Sequence, residues 1–377
     1  MLQKGRVMAD DQRAELVGLV LQGGGALGAY QAGAYEALMK AGWAPDWVAG
    51  ISIGAINAAI IAGNPPERRV ERLACFWNRL SGNLMAMPPE GTDYRSWFNE
   101  ASAAMTTAFG LPGFFRPRTL SPLFSARGSC GAISFYDTAP LRETLLELVD
   151  FDLLNSGAVR LSVGAVNVTS GNFAYFDTEN MTVTVDHVMA SGALPPSFPP
   201  MEIDGQMYWD GGLVSNTPLQ YVLEDAGPHE DMLLFQIDLF DARGEVPQTI
   251  WDVEHRIKDI RFSSRTRLNT DRFRQLQRLR RAARRLYGKL PENLKQDADA
   301  LLLEEAGCDA DVTVVHLIHR LAPYTKQSKD YEFSRASVNE HWTAGTNDVV
   351  RTLRHPKWLS RGKPKEGVAV FDLAREG

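Results

Sequence analysis

The chain has 377 residues, of which 44% are hydrophobic and 23% are charged, as is ordinary for a folded protein. This length allows one large α/β domain with additions, or two domains. A net charge of −6 argues against a protein that coats nucleic acid. Three widely spaced cysteines, Cys75, Cys130 and Cys308, argue against a disulfide framework and fit a reducing compartment. No cysteine and histidine cluster suggests a metal site, and we expect no metal or other cofactor.

The beginning of the chain carries no sign of a membrane segment. Residues 1–13 are polar, and the first apolar run, Leu16 to Leu21, has six residues. A secretory signal needs a longer apolar core, and no later run approaches the ~20 apolar residues of a bilayer-spanning helix. We therefore expect a cytoplasmic protein. If its substrate were a lipid, it would meet the membrane as a peripheral protein at the inner face.

A strand–turn–helix rhythm occurs twice in the first part of the chain. Leu16 to Leu21 predicts a buried parallel strand because it is short and continuously apolar. Ala29 to Ala41 has a helical composition and stops at Gly42. Trp47 to Ile51 predicts a second strand, and Ile53 to Ala62, apolar on every side, predicts a buried helix. This rhythm indicates an α/β sheet.

The rest of the chain supplies further strands and one interruption. We predict strands at 159–168, 173–176, 232–239 and 312–318. Residues 84–132 break the rhythm with glycines, prolines and large apolar side chains. They predict a packed loop insertion or, if they border a site, a lid or a wall for an acyl chain. The apolar side chains of this segment are Met85, Met87, Trp97, Phe98, Phe109, Phe114 and Phe115.

A nucleophile motif lies between the second strand and its helix. Gly50-Ile-Ser52-Ile-Gly54 has the G-x-S-x-G pattern, in which a sharp turn projects the serine hydroxyl and the glycines avoid clashes. Ser52 would also lie at a helix N-terminus, whose positive end stabilises nearby negative charge. The predicted strand before this motif and the helix after it supply the context that the chemistry needs.

A glycine-rich turn, Gly23 to Gly28, joins the first strand to its helix, and it permits two interpretations. It matches the dinucleotide fingerprint G-x-G-x-x-G, but the acid expected to end the second strand is missing there, because Asp46 precedes that strand. Alternatively, its backbone N–H groups form an oxyanion hole. The Ser52 motif on the next strand favours the oxyanion hole.

An activated serine needs a base. None of the seven histidines has a catalytic setting, and His316 and His319, in or beside an apolar strand, are expected in the core or at its edge. Asp210 offers another base, because Gly211 and Gly212 after it make a tight turn that leaves the carboxylate free. A plain Asp-Gly turn is the alternative.

Four ordered blocks together resemble the patatin-like phospholipases over roughly residues 16–245. The blocks are Gly23 to Gly28, Gly50 to Gly54, Ala190 to Pro195 and Asp210 to Pro218. The resemblance implies a three-layer α/β/α sandwich with a mainly parallel sheet, and a Ser–Asp dyad without histidine. By the matching positions, the dyad is Ser52 with Asp210, the oxyanion donors are Gly24 and Gly25, and the supporting glycines are Gly23, Gly28, Gly50, Gly54, Gly211 and Gly212.

The resemblance also implies a domain plan and an activity. We expect a catalytic domain at 14–245 and a basic, mostly helical extension at 246–377, as in a bacterial subgroup, containing the strand at 312–318. The implied activity is that of a lipid acyl hydrolase working through an acyl-serine. Leu27 stands where the family usually carries arginine or lysine. This departure favours a neutral lipid, a lysolipid or a short acyl ester over a charged phospholipid.

A basic segment distinguishes the extension. From Trp251 to Pro291 there are thirteen Lys/Arg against four Asp/Glu, with apolar residues interleaved along what we predict to be one helix. Residues 256–289 of this segment would lie on an anionic membrane, or would form a solvated face paired with acids, or a subunit interface in a homo-oligomer. Two alternatives to a hydrolase stay open: an acyltransferase using the same acyl-Ser52, and a non-catalytic or nucleotide-binding protein. Ser191 and Asn216 are expected to fix loops near the dyad.

Overall fold

The computed structural model of the chain describes residues 15–83, 92–225, 230–263, 266–321 and 327–374. Residues 1–13, Met85, Met87, His229 (one of the seven histidines) and residues 264–265 of the basic segment lie outside these ranges. The strands in them, in chain order, are β1 (Leu16–Leu21), β2 (Trp47–Gly50), β3 (Arg116–Pro117), β4 (Tyr136–Asp137), β5 (Arg160–Asn167), β6 (Phe173–Asp177), β7 (Met201–Ile203), β8 (Gln206–Asp210), β9 (Met232–Asp238), β10 (Val312–Ile318) and β11 (Val368–Phe371).

Nine of these strands form one mainly parallel sheet. Its order is β11-β10-β9-β1-β2-β5-β8-β7, and β6 pairs with β5. The pairs from β11 to β5 are parallel, whereas β6, β7 and β8 form antiparallel pairs. The two remaining strands, β3 and β4, make a separate hairpin.

Helices cover both faces of the sheet. The α-helices are α1 (Ala29–Lys40), α2 (Ile53–Ala62), α3 (Arg69–Leu80), α4 (Thr92–Phe109), α5 (Ala139–Leu148), α6 (Phe151–Leu154), α7 (Val185–Ser191), α8 (Leu219–Asp225), α9 (Ile250–Phe262), α10 (Thr266–Tyr287), α11 (Ala298–Ala306), α12 (Arg335–Arg354) and α13 (Pro356–Leu359). None of the helices in the described ranges combines the length and apolar character that crossing a bilayer requires.

Alternate residues of β1 separate two cores. Val17, Leu19 and Leu21 belong to a large cluster with α1, α2 and α12. Val20 belongs to a smaller cluster on the other face, with residues of α8 and α10. Successive strand side chains point to opposite faces, and a strand buried on both faces is therefore apolar at every position. The three-layer α/β/α fold predicted from the sequence is confirmed.

Two expectations about local structure are wrong. The segment expected to be a loop insertion contains the 18-residue helix α4, which forms because residues 92–109 hold no glycine or proline and include several alanines. The basic segment forms two helices, α9 and α10, instead of one. The division of the chain near residue 245 stays a prediction. The central sheet continues beyond that point through β10 and β11.

Glycines bring α12 from the C-terminal part into close contact with α1. A Cβ atom at Gly33 would lie 1.9 Å from the carbonyl oxygen of Trp342, and one at Gly345 would lie 2.0 Å from that of Tyr30. Trp342 also donates its indole N–H to Glu36 at 2.6 Å. The two backbones therefore touch at positions where no larger residue fits.

We expect Gly345→Val to lower the free energy of unfolding by about 1–3 kcal/mol, because its side chain must push the two helices apart. Gly362→Val is the matched control, since a Cβ atom there meets nothing within 4 Å. Thermal unfolding measures both variants. Equal melting temperatures for the two would contradict this account of the α1–α12 contact.

Candidate active site

Ser52 occupies a strained turn between β2 and α2. Its backbone has φ 56° and ψ −123°, an unusual conformation for a residue with a side chain. A Cβ atom at Gly50 would lie 2.3 Å from the carbonyl oxygen of Gly54, and one at Gly54 would lie 2.4 Å from that of Leu21. Both glycines are therefore required for the turn, which places Ser52 at the N-terminus of α2.

Strand pairing brings Asp210 to the same place. Residues 162–163 of β5 pair with both β2 and β6, and residues 165–166 pair with both β6 and β8. Strands β2 and β8 therefore lie on the same edge of β5, one beyond the other. The pairing of β2 ends at Gly50 and β8 ends at Asp210, so the two strand ends face each other and bring Ser52 and Asp210 together.

Burial controls the acidity of Asp210. The residue is 2% exposed, and its Oδ1 accepts the backbone N–H of Gly212 at 2.7 Å. Loss of water raises the pKa of Asp210 to about 7, although hydrogen bonds from Ser52 and Gly212 act in the opposite direction. A carboxylate with this pKa exchanges protons near neutral pH, as a general base must.

The glycine-rich turn packs directly against the serine. A Cβ atom at Gly23 would lie 3.0 Å from the Cβ of Ser52. Gly23 and Asn216 exchange two hydrogen bonds, from Gly23 N to the Asn216 carbonyl at 3.1 Å and from Asn216 Nδ2 to the Gly23 carbonyl at 2.9 Å. Gly24 and Gly25 open the 3-10 turn Gly25–Gly28. The first amides of a helical turn have no acceptor within it, and both residues line the cavity in front of Ser52.

The same turn is covered from outside. Gly25 has φ +55°, and a Cβ atom there would lie 2.0 Å from the carbonyl oxygen of Asp330. Gly28 packs on α2, since its Cβ would lie 2.6 Å from Cγ1 of Ile53. A dinucleotide-binding turn leaves its backbone open to a pyrophosphate, and the contact of Gly25 with Asp330 does not favour that alternative.

Buried polar side chains hold the turns in place. Ser191 accepts the backbone N–H of Ser52 at 3.0 Å and donates to the carbonyl of Gly164 at 2.7 Å. Ser191 and Asn216 thus fix the loops beside the site, as the sequence predicts. Sequence reasoning missed Gln22, whose Oε1 accepts the backbone N–H groups of Leu239 and Phe240 at 2.6 and 2.9 Å. Its signal was a polar residue directly after the apolar run of β1.

A cavity of about 520 Å³ opens in front of these residues. Ser52, Asp210 and residues 23–25 lie in its wall. The apolar and aromatic part of the wall consists of Ile53, Ile56, Phe114, Phe115, Tyr136, Leu194, Phe198, Phe240, Phe262, Tyr331 and Phe333. A wall of this composition suits an acyl chain.

Other predicted residues lie away from the cavity. Of the histidines in the described ranges, none lines it. His316 and His319 are buried, and His319 stacks on Tyr30. Leu27 is fully buried in the core. A cation reaches the cavity wall from α9 instead, where Lys258 pairs with Asp330 at 2.6 Å.

Two family profiles match the chain. A patatin-like phospholipase profile matches residues 19–223, and a patatin phospholipase profile matches residues 260–365. Together they include every residue that the sequence analysis assigned to the site, and helices α10 to α13.

Curated relatives match over shorter stretches. A cGAMP-activated phospholipase of Pseudomonas aeruginosa is 28% identical over 159 residues, which are 35% of this chain and 48% of the relative. A patatin-like phospholipase domain-containing protein of Caenorhabditis elegans is 41% identical over 70 residues, which are 18% of this chain and 6% of the relative. The chain therefore matches about half or less of the length of these relatives.

Among solved structures, VipD from Legionella pneumophila aligns over 96% of this chain and 72% of its own, with 13% identity and a TM-score of 0.32. Assignment to a family rests on the sequence profiles, because the first of them spans residues 19–223, more than half of the chain, and contains both glycine turns and both strand ends of the site. The chain belongs to the patatin-like phospholipase family, a family of lipid hydrolases.

Proposed function

We propose that the protein is a serine lipid acyl hydrolase in which Ser52 is the nucleophile and Asp210 is its base. The observation that carries the proposal is a buried carboxylate that hydrogen-bonds to a serine on a strained strand-to-helix turn. Burial raises the pKa of Asp210 to about 7. The apolar cavity in front of the two residues supports an acyl ester as the substrate.

In the proposed mechanism, Asp210 accepts the hydroxyl proton as Ser52 Oγ bonds to the ester carbonyl carbon. The N–H groups of Gly24 and Gly25 donate to the resulting oxyanion. When the tetrahedral intermediate collapses, the bond to the alcohol breaks and Asp210 returns the proton to the leaving oxygen. Asp210 then takes a proton from water as its oxygen attacks the carbonyl carbon of acyl-Ser52. The bond to Ser52 Oγ breaks, Asp210 returns the proton to Oγ, and the acid leaves.

The lining of the cavity favours an uncharged or weakly charged substrate. Leu27 is in the core and contributes no cation, and Lys258 at the wall is paired with Asp330. Neutral lipids, lysolipids and short acyl esters are therefore the substrate classes to test first. A transferase would use the same acyl-Ser52 with another acceptor, and product analysis with and without an added alcohol separates the two.

We expect Ser52→Ala to lower kcat/KM for p-nitrophenyl acyl esters by a factor on the order of 10⁶, because no other group can form the acyl-enzyme. A fluorophosphonate probe should label the wild type but not this variant. Ser170→Ala, which removes the same atom from an exposed loop, is the control and should behave as the wild type. Labelling or turnover in the Ser52→Ala variant would move the nucleophile elsewhere.

We expect kcat/KM for a soluble uncharged ester to rise with pH through a midpoint near 7, because Asp210 must be deprotonated and its pKa is about 7. An ordinary aspartate would give a profile already flat at about pH 5, and that result would exclude Asp210 as a buried base. Asp210→Asn should abolish turnover, whereas Asp204→Asn, in the exposed turn between β7 and β8, should keep the wild-type profile.

We also expect a pH-dependent stability difference. The pKa of Asp210 is about 7 in the folded chain and about 3.9 in an unfolded one. Protonation of Asp210 therefore makes its full contribution to the free energy of unfolding below about pH 4, and this contribution is lost as the pH rises through 7. At about pH 8, Asp210→Asn should therefore raise the free energy of unfolding by about 2–4 kcal/mol, while its amide oxygen still accepts from Gly212.

At about pH 4 the stability gain should be much smaller, because wild-type Asp210 is then protonated in the fold. Urea unfolding at the two pH values measures the difference, with Asp204→Asn as the control. If Asp210→Asn raised the free energy of unfolding equally at both pH values, the buried charge of Asp210 would not be the cause of the increase.

A further inference from the structure

Helix α4 turns an apolar stripe toward solvent. Trp97 and Phe109 are 71% and 74% exposed, and Met105 between them is 47% exposed. Positions four and eight apart lie on one face of a helix. A helix on the surface of a protein ordinarily buries such a face and exposes its polar one, so packing among the described residues does not explain this stripe.

The loop between β3 and β4 adds to this surface. Leu123 and Phe124 in it are 88% and 77% exposed. Phe115, just before β3, and Tyr136, in β4, both line the cavity, and the Tyr136 hydroxyl donates to the carbonyl of Thr107 in α4 at 2.9 Å. The loop therefore starts and ends at the cavity wall, beside the last turn of α4. We call Trp97, Met105, Phe109, Leu123 and Phe124 the apolar rim.

The charge of this region differs from that of the whole chain. Residues 101–136 contain three arginines, Arg116, Arg118 and Arg127, and neither aspartate nor glutamate, although the net charge of the chain is −6. Arg116 pairs with Asp137 at 2.8 Å, so Arg118 and Arg127 carry the net positive charge of this region. Apolar side chains with basic residues and no acids among them are the combination that favours an anionic lipid surface, because the two contributions to binding add.

We propose that the apolar rim is the surface by which the protein docks onto an anionic lipid bilayer, an inference that rests on the proposed action on lipids. Thr106 and Thr107 on α4 line the cavity, so a rim inserted among the lipids places the cavity next to its substrate. An acyl chain would then pass from the bilayer to the aromatic wall without crossing water. A protein seated on the rim would instead cover this approach.

The basic segment 256–289 is a weaker membrane surface than its composition suggests. Several of its cations pair with acids of the same chain: Lys258 with Asp330 at 2.6 Å, Arg284 with Asp309 at 3.4 Å, and Arg281 with Asp311. The charge that these pairs neutralise is not available to anionic lipids. Docking is assigned to the rim because it borders the cavity, whereas no described residue of α10 lines the cavity.

Vesicle sedimentation tests the assignment. All variants carry Ser52→Ala, so that no lipid is consumed and binding is measured independently of the proposed catalysis. The vesicles are phosphatidylcholine mixed with phosphatidylglycerol, and phosphatidylcholine alone. Phe109→Ser/Phe124→Ser removes two highly exposed rim side chains, and Leu123→Glu places a single acid in the acid-free region. Leu301→Ser/Leu302→Ser is the matched control, since it removes two exposed apolar side chains of α11.

We expect the parent protein to bind the mixed vesicles, and each rim variant to bind them at least about tenfold more weakly. The control should bind as the parent does. With Ser52 restored, the rim variants should keep wild-type turnover of a water-soluble ester, which shows that they fold. If the wild type itself does not hydrolyse the water-soluble ester, the proposed hydrolase function is wrong. The vesicle-binding result would still test the role of the rim.

Three results would overturn the proposal. The first is equal vesicle binding by the rim variants and the parent. The second is loss of binding in Arg278→Glu/Arg285→Glu on α10 without loss in the rim variants. The third is a parent that binds neither kind of vesicle and forms a dimer in light scattering that the rim variants dissociate, which would make the rim an interface between two copies of this chain.

Discussion

The site depends on a carboxylate that is almost completely buried. Asp210 is 2% exposed, and the loss of hydration raises the pKa of Asp210 to about 7, against the ~3.9 of a solvated aspartate. In the proposed mechanism, that pKa lets Asp210 act as the base near neutral pH, and no histidine is required for proton transfer. Burial also destabilises the folded state when Asp210 is ionised. Other interactions in the structure must therefore offset this loss of stability.

Strand pairing holds the carboxylate and the hydroxyl together without a flexible segment between them. Because β2 and β8 share one edge of β5, their ends are fixed by backbone hydrogen bonds. The Ser52 turn is then held by the hydrogen bond to Ser191 and by glycines that no larger residue can replace. Catalytic geometry of this kind tolerates little displacement, and a sheet is a rigid support for it.

The C-terminal part of the chain completes the cavity instead of standing beside it. Phe262, Asp330 and Phe333 lie in the cavity wall, and the carbonyl of Phe262 accepts a hydrogen bond from Asn216 at 2.9 Å. Because Asn216 also holds the glycine-rich turn, the position of α9 is coupled to that of the proposed oxyanion donors. The match of a second patatin profile to residues 260–365 agrees with this shared construction.

Local sequence patterns predicted the central strands well, because a short apolar run between glycine turns is compatible with few structures other than a buried strand. The bounds of β1, α2 and β10 are those predicted. Features that depend on distant pairing were not accessible: no local signal shows that β8 lies beyond β2 on β5, or that Gln22 binds the backbone of residues 239 and 240. Helix α4 was missed because the aromatic residues, glycines and prolines around it outweighed its alanines.

One residue links the charge in the cavity to the proposed oxyanion turn. The carboxylate of Asp330 holds Lys258, and the backbone carbonyl of Asp330 packs against Gly25 so closely that no Cβ atom fits between them. Asp330 therefore contacts both the paired cation Lys258 on α9 and the turn at Gly25. A ligand that moves Lys258 would disturb Asp330 and, through it, the proposed oxyanion turn.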